Sequence, residues 1–86
     1  MTVTEAYLHA TDHRAEIEAS RLAGCFYCLE IFPAGHVADW LDGGRTAVCP
    51  RCGVDSVLGD KFGAPLKRPF LEKMQARWFP EALARA

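Results

Sequence analysis

Apolar and polar positions divide the chain into two predicted helices and a middle segment of different character. Positions 3–22 have apolar residues at helical spacing and follow the capping-box sequence from Thr2 to Glu5, so we predict an N-terminal helix there. Positions 69–79 carry a second apolar stripe at helical spacing, with Pro69 suited to the first turn. We therefore predict a C-terminal amphipathic helix over residues 69–79.

The middle segment, residues 24–59, is rich in Cys, aromatic residues, Gly and Pro. Apolar alternation predicts two short strands, at residues 29–32 and 45–48. Apolar residues at i, i+3 and i+4 within residues 37–41 predict a short helical turn between these strands. Residues 53–68 contain many turn-forming residues, and no regular element is predicted there.

The length of the chain limits the core that these elements can build. A chain of 86 residues has room for one domain, residues 1–86, and it buries only about 60–65% of its unfolded surface. Domains with so small a core usually need a metal, disulfides or another cross-link. We therefore expect a small α+β domain that is stabilised by more than its hydrophobic core.

Four cysteines supply that stabilising element. Cys25 and Cys28 form one C-x2-C pair, and Cys49 and Cys52 form another after twenty intervening residues. Each pair can turn two sulfurs to the same side, and four such sulfurs make the tetrahedral ligand set of a structural zinc site. Gly53 suits a tight turn in which backbone N–H groups hydrogen-bond the thiolates. The spacing thus predicts one structural Zn²⁺, with no coordination position open to a substrate.

Two other uses of the cysteines compete with zinc. The C-P-x-C sequence from Cys49 to Cys52 also occurs in thiol oxidoreductases, but those enzymes need a βαβ framework that this chain does not predict. Two disulfides would suit a secreted domain. The N-terminal residues have no signal-peptide pattern, and no apolar run is long enough to cross a membrane. We therefore expect a cytoplasmic protein with reduced thiols.

The histidines give a weaker indication of chemistry. His9 and His13 are four residues apart on the predicted helix, a spacing that can bind a second metal ion. No third ligand is evident, so two histidines on a polar helix face are the simpler interpretation. His36 stands near the metal loop, as in nucleases with a His-metal finger, but the segment after Cys52 has no further His. We accordingly predict no enzyme, with a metal-dependent nuclease as the weakest alternative.

Charge is unevenly distributed along the chain. Residues 1–43 carry two Arg against seven acidic residues, and residues 44–86 carry eight basic against four acidic residues, which gives formal charges of −5 and +4 within a net −1. Four basic residues at the C-terminal helix could form a nucleic-acid-binding stripe: Lys67, Arg68, Lys73 and Arg77. The sequence pI near 6.3 is unlike that of a typical nucleic-acid-binding domain.

Trp78 and Phe79 indicate a protein partner. Adjacent helical residues point about 100° apart, so both rings cannot easily face the same core. One of them is then available to anchor a partner. We predict a non-enzymatic adaptor or regulator that binds another protein, and a nucleic-acid-binding regulator is the alternative.

Three stretches give the chain a resemblance to a known group: "CFYCLEIFP", "DWLDGGRTAVCPRCGVDSVLGD" and "FLEKMQARWF". Over about residues 14–79 the chain resembles a set of small, uncharacterised bacterial cytoplasmic proteins with a zinc-ribbon or treble-clef core. The resemblance implies that both C-x2-C pairs are zinc ligands, and it implies no activity. Because the two zinc folds differ in the segment after the second cysteine pair, both remain open.

Overall fold

A computed structural model describes residues 1–84, in which helices flank two small antiparallel sheets. Residues 85 and 86, the end of the predicted domain, lie outside the described residues. The helices are α1 (Val3–Tyr7), α2 (Arg14–Ala19), α3 (Arg68–Trp78) and α4 (Pro80–Ala84), with 3₁₀ turns at Leu8–Ala10 and Ala34–His36. The strands are β1 (Leu22–Cys25), β2 (Ile31–Pro33), β3 (Trp40–Leu41), β4 (Thr46–Ala47) and β5 (Val57–Gly59). The predicted α+β organisation is thus confirmed.

The main sheet has β1 at its centre, paired antiparallel with β2 on one side and with β5 on the other. Opposite Ala23 lie Phe32 of β2 and Gly59 of β5. Strands β3 and β4 form a separate hairpin, in which Trp40 is opposite Ala47. Because side chains alternate along a strand, the main sheet can bury apolar residues on both of its faces.

Two apolar clusters result. One contains Ile17 of α2 together with the sulfur-bearing residues Cys25 and Cys49. The other contains Leu71 and Met74 of α3, packed with residues of α1 and β5. Helix α3 approaches the sheet closely, because a Cβ at Gly24 would lie 3.0 Å from Leu71 Cδ1. The cysteine pairs therefore lie at the end of a sheet that is packed on both sides.

The single N-terminal helix predicted over residues 3–22 is wrong, although its start is right. The capping box forms, since the Glu5 N–H donates to Thr2 Oγ1 (3.1 Å) and the Thr2 N–H donates to the Glu5 carboxylate (2.9 Å). Helix α1 ends at Tyr7 and a 3₁₀ turn continues to Ala10. The chain then changes direction at Asp12, which has a φ of +50° and donates its N–H to Thr46 Oγ1 (3.0 Å). Long-range hydrogen bonds to the β3–β4 hairpin replace the helical ones, and residues 22–25 become the central strand instead.

The middle segment also differs from the prediction in its elements. The two predicted strands correspond to the shorter strands β2 and β4. Three more strands are present within residues 1–84, so the core has five strands where two are predicted. The helical turn predicted within residues 37–41 is replaced by β3, because Trp40 and Leu41 pair with Ala47 and Thr46. Strand β5 lies in residues 53–68, where no element is predicted. Its apolar run is too short to be recognised without its partner strand.

The C-terminal helix agrees with the prediction to within one residue at each end. Predicted over residues 69–79, it runs from Arg68 to Trp78, and a separate helix begins at Pro80. Proline lacks an N–H and clashes with the preceding helical turn, which explains the break. Within residues 1–84, no helix reaches the length and apolarity that a membrane crossing requires.

Candidate metal centre

The four cysteine sulfurs meet at the end of the main sheet, all within 4.8 Å of one another. Cys25 Sγ lies 3.6 Å from Cys52 Sγ, and Cys28 Sγ lies 3.8 Å from Cys49 Sγ. Residues 25–29, the first knuckle, connect β1 to β2, and residues 49–53, the second knuckle, lie between β4 and β5. Each close sulfur pair joins one knuckle to the other.

The two knuckles have the same backbone hydrogen bonds. The Leu29 N–H donates to the Cys25 carbonyl (2.9 Å), as the Gly53 N–H donates to the Cys49 carbonyl (3.0 Å). A second hydrogen bond is also shared: Cys25 N–H donates to the Glu30 carbonyl (3.0 Å), and Cys49 N–H donates to the Val54 carbonyl (2.9 Å). The similarity arises from the C-x2-C spacing, which closes the same tight turn at both places.

The sulfurs accept backbone hydrogen bonds in the same way. Tyr27 N–H donates to Cys25 Sγ and Arg51 N–H donates to Cys49 Sγ, both at 3.3 Å. Such N–H donors stabilise thiolates and hold them in place around a metal. The first sulfur of each pair is thus oriented by its own knuckle.

The spacing of the sulfurs fits a tetrahedral metal ion. With metal–sulfur bonds of about 2.3 Å, as for zinc, the sulfurs of a regular tetrahedron are about 3.8 Å apart. The Cys25–Cys52 and Cys28–Cys49 sulfur separations, 3.6 and 3.8 Å, agree with this edge length. They are far longer than the ~2.05 Å of a disulfide bond, and all four thiols are free. Four thiolates in this arrangement can hold one metal ion.

The electrostatics of the cluster favour a cation. Burial, reinforced by the neighbouring Cys25, raises the pKa of Cys28 to about 11. Burial likewise raises the pKa of Cys52. Burial also acts on Cys49, but hydrogen bonds from the Arg51 and Cys52 backbone outweigh it and lower the pKa. Four crowded sulfurs cannot all ionise unless a positive ion compensates their charge, and a bound metal supplies that charge.

The site has a buried side and a more open side. Cys25 and Cys49 are 0% and 2% exposed, whereas Cys28 and Cys52 are half-buried. Ser56, at the approach to β5, adds a hydroxyl 3.1 Å from Cys25 Sγ. Sequence reasoning did not find Ser56, because a serine four residues after a cysteine pair belongs to no recognised metal motif.

His9 and His13 are separated by the break in the predicted helix. His9 Nδ1 lies 2.9 Å from Glu16 Oε1. His13 is buried, and neither ring nitrogen has a hydrogen-bond partner within residues 1–84. Burial lowers the pKa of His13, and the Val57 backbone and Glu16 offset this only in part. Within residues 1–84 the four cysteines are the one group of three or more His, Cys, Asp or Glu residues close enough to share a metal.

His36 lies beside the second knuckle on the protein surface. Its Nδ1 is 3.4 Å from a guanidinium nitrogen of Arg51. The Arg51 side chain also lies over the Phe32 ring, 5.8 Å from its centroid. The structure therefore places His36 against a cation and not in the sulfur cluster.

The four basic residues predicted to form a stripe, Lys67 just before α3 and Arg68, Lys73 and Arg77 within it, lie on the surface but do not form a uniform stripe. Arg68 makes an ion pair with Glu72, at 3.5 Å. Lys67, Lys73 and Arg77 are exposed, and within residues 1–84 none of them makes an ion pair with a carboxylate. The Arg77 guanidinium lies 4.2 Å from the centroid of the Trp78 ring.

Trp78 and Phe79 contact different neighbours, and both are half-buried. Trp78 stacks on Tyr7 of α1, with ring centroids 3.9 Å apart. Phe79 packs edge-on against Tyr27 of the first knuckle, at 4.9 Å, and tilted against Phe26, at 5.8 Å. Each ring thus has a role in joining α3 to the rest of the chain.

No protein-family model matches this chain, and neither a curated protein nor a solved structure matches it. The class that the fold and the site define is therefore a small α+β domain with a four-cysteine cluster able to hold a metal ion. Of the predicted resemblance, the cysteine cluster is the part that these findings support.

Proposed function

We propose that the cluster binds one structural Zn²⁺ and that the core is of the zinc-ribbon type. Zinc is the usual ion of closed four-thiolate sites without a cluster of inorganic sulfide. Support for a ribbon over a treble clef comes from the segment after the second knuckle. It continues into strand β5, which pairs with β1, whereas the next helix begins only at Arg68.

The zinc-ribbon core serves a non-enzymatic, cytoplasmic adaptor or regulator that binds another protein. The observation that carries this proposal is a partly exposed apolar surface where α1 and the following 3₁₀ turn meet the C-terminal end of α3. We call it the aromatic surface: the exposed Tyr7 and Leu8, and the half-buried Trp78 that stacks on Tyr7. Leu8 is 75% exposed, the largest fraction among the large apolar side chains of residues 1–82, and Tyr7 is 42% exposed. Aromatic residues at the surface are enriched at the energetic centres of protein interfaces.

The charge beside the aromatic surface favours a partner with acidic residues. The Arg77 guanidinium stacks on the Trp78 ring. Lys73 lies one helical turn before Arg77 on α3. Neither side chain makes an ion pair with a carboxylate of residues 1–84, so both can pair with a partner's carboxylates. Such rim charges steer association and add specificity more than affinity.

The proposal is tested by comparing the partners captured by two matched variants. Leu8→Ser removes the most exposed apolar side chain of the aromatic surface, and Leu41→Ser removes one that is 48% exposed on strand β3, outside that surface. We expect zinc-loaded wild type and Leu41→Ser to capture the same stoichiometric protein from host lysate at moderate salt, and Leu8→Ser to lose it. Equal capture by all three proteins would contradict a role for the aromatic surface.

A nucleic-acid-binding regulator is the second candidate, and the exposed Lys67, Lys73 and Arg77 favour it. Phosphate contacts release counterions, so binding to nucleic acid weakens steeply as salt rises. Nuclease treatment and a salt series in the same capture experiment separate the two candidates. Material that is recovered only at low salt, and is lost when Lys67, Arg68, Lys73 and Arg77 are reversed together, would establish the second candidate in place of the first.

A further inference from the structure

Ser56 is a buried residue whose hydroxyl points at the metal centre. Its side chain is among the few polar ones in the interior, with the residue only 2% exposed. Its Oγ lies 3.1 Å from Cys25 Sγ, and its carbonyl accepts the Phe26 N–H at 3.0 Å. The second of these bonds ties the Ser56 backbone to the first knuckle, so the hydroxyl is held against the sulfur by the fold.

We propose that Ser56 is a positioning residue of the metal centre, whose hydroxyl donates a hydrogen bond to the metal-bound Cys25 thiolate. The direction is fixed by chemistry, because a thiolate has no proton to donate and a hydroxyl does. The inference rests on the proposed metal centre. It assigns to a side chain outside the C-x2-C pairs a share in holding the metal.

Ser56 has no polar counterpart at the first knuckle, although the two knuckles otherwise match. Four positions after Cys52 is Ser56, and four positions after Cys28 is Phe32, a core residue without a polar group. The backbone donors are shared between the knuckles, but this side-chain donor acts on one sulfur only. Ser56 therefore breaks the symmetry of an otherwise symmetric ligand set.

This asymmetry predicts the order in which the four cysteines release the metal. Cys25 Sγ is fully buried and has the N–H groups of Tyr27 (3.3 Å) and Cys28 (3.5 Å) beside it as well as Ser56. Cys28 and Cys52 are half-buried at the open side of the site. A thiolate that accepts more hydrogen bonds is a weaker nucleophile and holds its place better. Metal loss should begin at the open side, and Cys25 should be the last ligand to be released.

Three variants of the zinc-loaded full chain test this inference. Ser56→Ala removes the hydroxyl, Ser56→Thr keeps one, and Thr46→Val removes a different buried hydroxyl, which donates to Asp42 (2.7 Å) and not to a sulfur. We expect Ser56→Ala to weaken zinc binding by about 10- to 100-fold in chelator competition, as loss of an outer-shell partner does. Ser56→Thr should restore most of the affinity, and Thr46→Val should lower thermal stability without this loss of affinity.

A second readout reports on Cys25 itself. Cobalt(II) in place of zinc gives sulfur-to-metal charge-transfer bands, which should shift in Ser56→Ala and not in Thr46→Val. Time-resolved labelling of zinc-loaded wild type with N-ethylmaleimide should modify Cys28 and Cys52 first and Cys25 last, and Ser56→Ala should advance Cys25 in that order.

Unchanged zinc affinity, cobalt spectrum and labelling order in Ser56→Ala would overturn the inference. If Ser56→Ala does not fold, wild-type labelling still decides, since early modification of Cys25 would overturn it as well. A wild type that binds no metal would instead overturn the proposed function, so the two failures can be told apart.

Discussion

The two knuckles have the same backbone and different surroundings. In the first, the Tyr27 carbonyl accepts a hydrogen bond from Gln75 Nε2 of α3 (2.8 Å), and Phe79 packs against the Tyr27 ring. In the second, Pro50 and Arg51 are exposed, and the Arg51 side chain contacts His36 and the Phe32 ring at the surface. The first knuckle is thus tied to α3 by a side-chain hydrogen bond, whereas the second is held by the metal site, the core packing of Cys49 and the surface contacts of Arg51.

The ligand spacing imposes the shared backbone of the knuckles, and the rest of the fold determines how each one is packed. The last residue of each knuckle is left-handed, with φ of +68° at Leu29 and +81° at Gly53. For a residue other than glycine this conformation costs about 1–2 kcal/mol. Leu29 has contacts that offset this cost, since its side chain packs against the apolar cluster that contains Leu71 and Met74 of α3. Gly53 has no such contacts, and glycine avoids the cost.

Loss of a ligand from either knuckle should unfold both knuckles, because they share the metal. A structural zinc contributes an apparent ~10 kcal/mol or more to folding at neutral pH, and a domain has a total stability of only about 5–15 kcal/mol. We expect Cys25→Ser and Cys49→Ser each to abolish cooperative thermal unfolding measured by circular dichroism. Arg51→Ser, a non-ligand change in the second knuckle, is the control. A Cys49→Ser protein with wild-type unfolding would contradict the account.

Acid should act on the half-buried sulfurs at the open side of the site. The pKa of Cys28 is raised to about 11 and that of Cys52 is also raised, both chiefly by burial, so these thiols must release protons to bind metal. Zinc affinity therefore rises with pH and falls as pH is lowered. Release of one net proton changes affinity about tenfold per pH unit, or about a hundredfold between about pH 8 and about pH 6. Chelator competition across this range measures the slope, and a flat profile would be inconsistent with thiol ligands.

Gln75→Ala should destabilise the first knuckle, because it removes the hydrogen bond that ties this knuckle to α3. Gln75 is buried, and its loss leaves the Tyr27 carbonyl without this donor. We expect the free energy of unfolding to fall by about 1–3 kcal/mol, measured by denaturant titration with zinc present. Arg51→Ala in the second knuckle should change it by no more than about 0.5 kcal/mol. Similar effects of the two substitutions would show that the helix does not support the first knuckle.

The smallest expected effect concerns the left-handed residues. A Cβ at Gly53 meets nothing within 4 Å, so Gly53→Ala should destabilise through backbone conformation alone, by about 1–2 kcal/mol. Leu29→Gly relieves that conformation but loses packing, and the two effects oppose each other. We expect a smaller net change for Leu29→Gly in the same titration. A stabilised Gly53→Ala protein would show that the turn is not strained.

The sequence predicted the features that depend on short spacing. The capping box at Thr2 and Glu5 and the helix that ends near Trp78 need only neighbouring residues, and both are confirmed. The turn within each C-x2-C pair is also local, since Leu29 N–H bonds to the Cys25 carbonyl and Gly53 N–H bonds to the Cys49 carbonyl. In these places no distant contact competes with the local pattern.

Long-range pairing explains the features that the sequence did not reveal. Asp12 and His13 interrupt a helical pattern because their N–H groups bond to Thr46 and Arg45, more than thirty residues away. Strand β5 depends on β1 as its neighbour, and its short run looks like a turn in isolation. Ser56 becomes a metal-site residue only because that pairing brings it to Cys25. The proposed zinc and the interaction surfaces stay predictions.

The most direct test is the metal content of protein purified without added metal, with circular dichroism before and after chelation. We expect one zinc per chain, loss of cooperative unfolding when a chelator removes it, and recovery when zinc is returned. Protein that contains no metal, or that keeps the same unfolding transition after its metal is removed, would contradict the claim that the two knuckles fold around one shared ion.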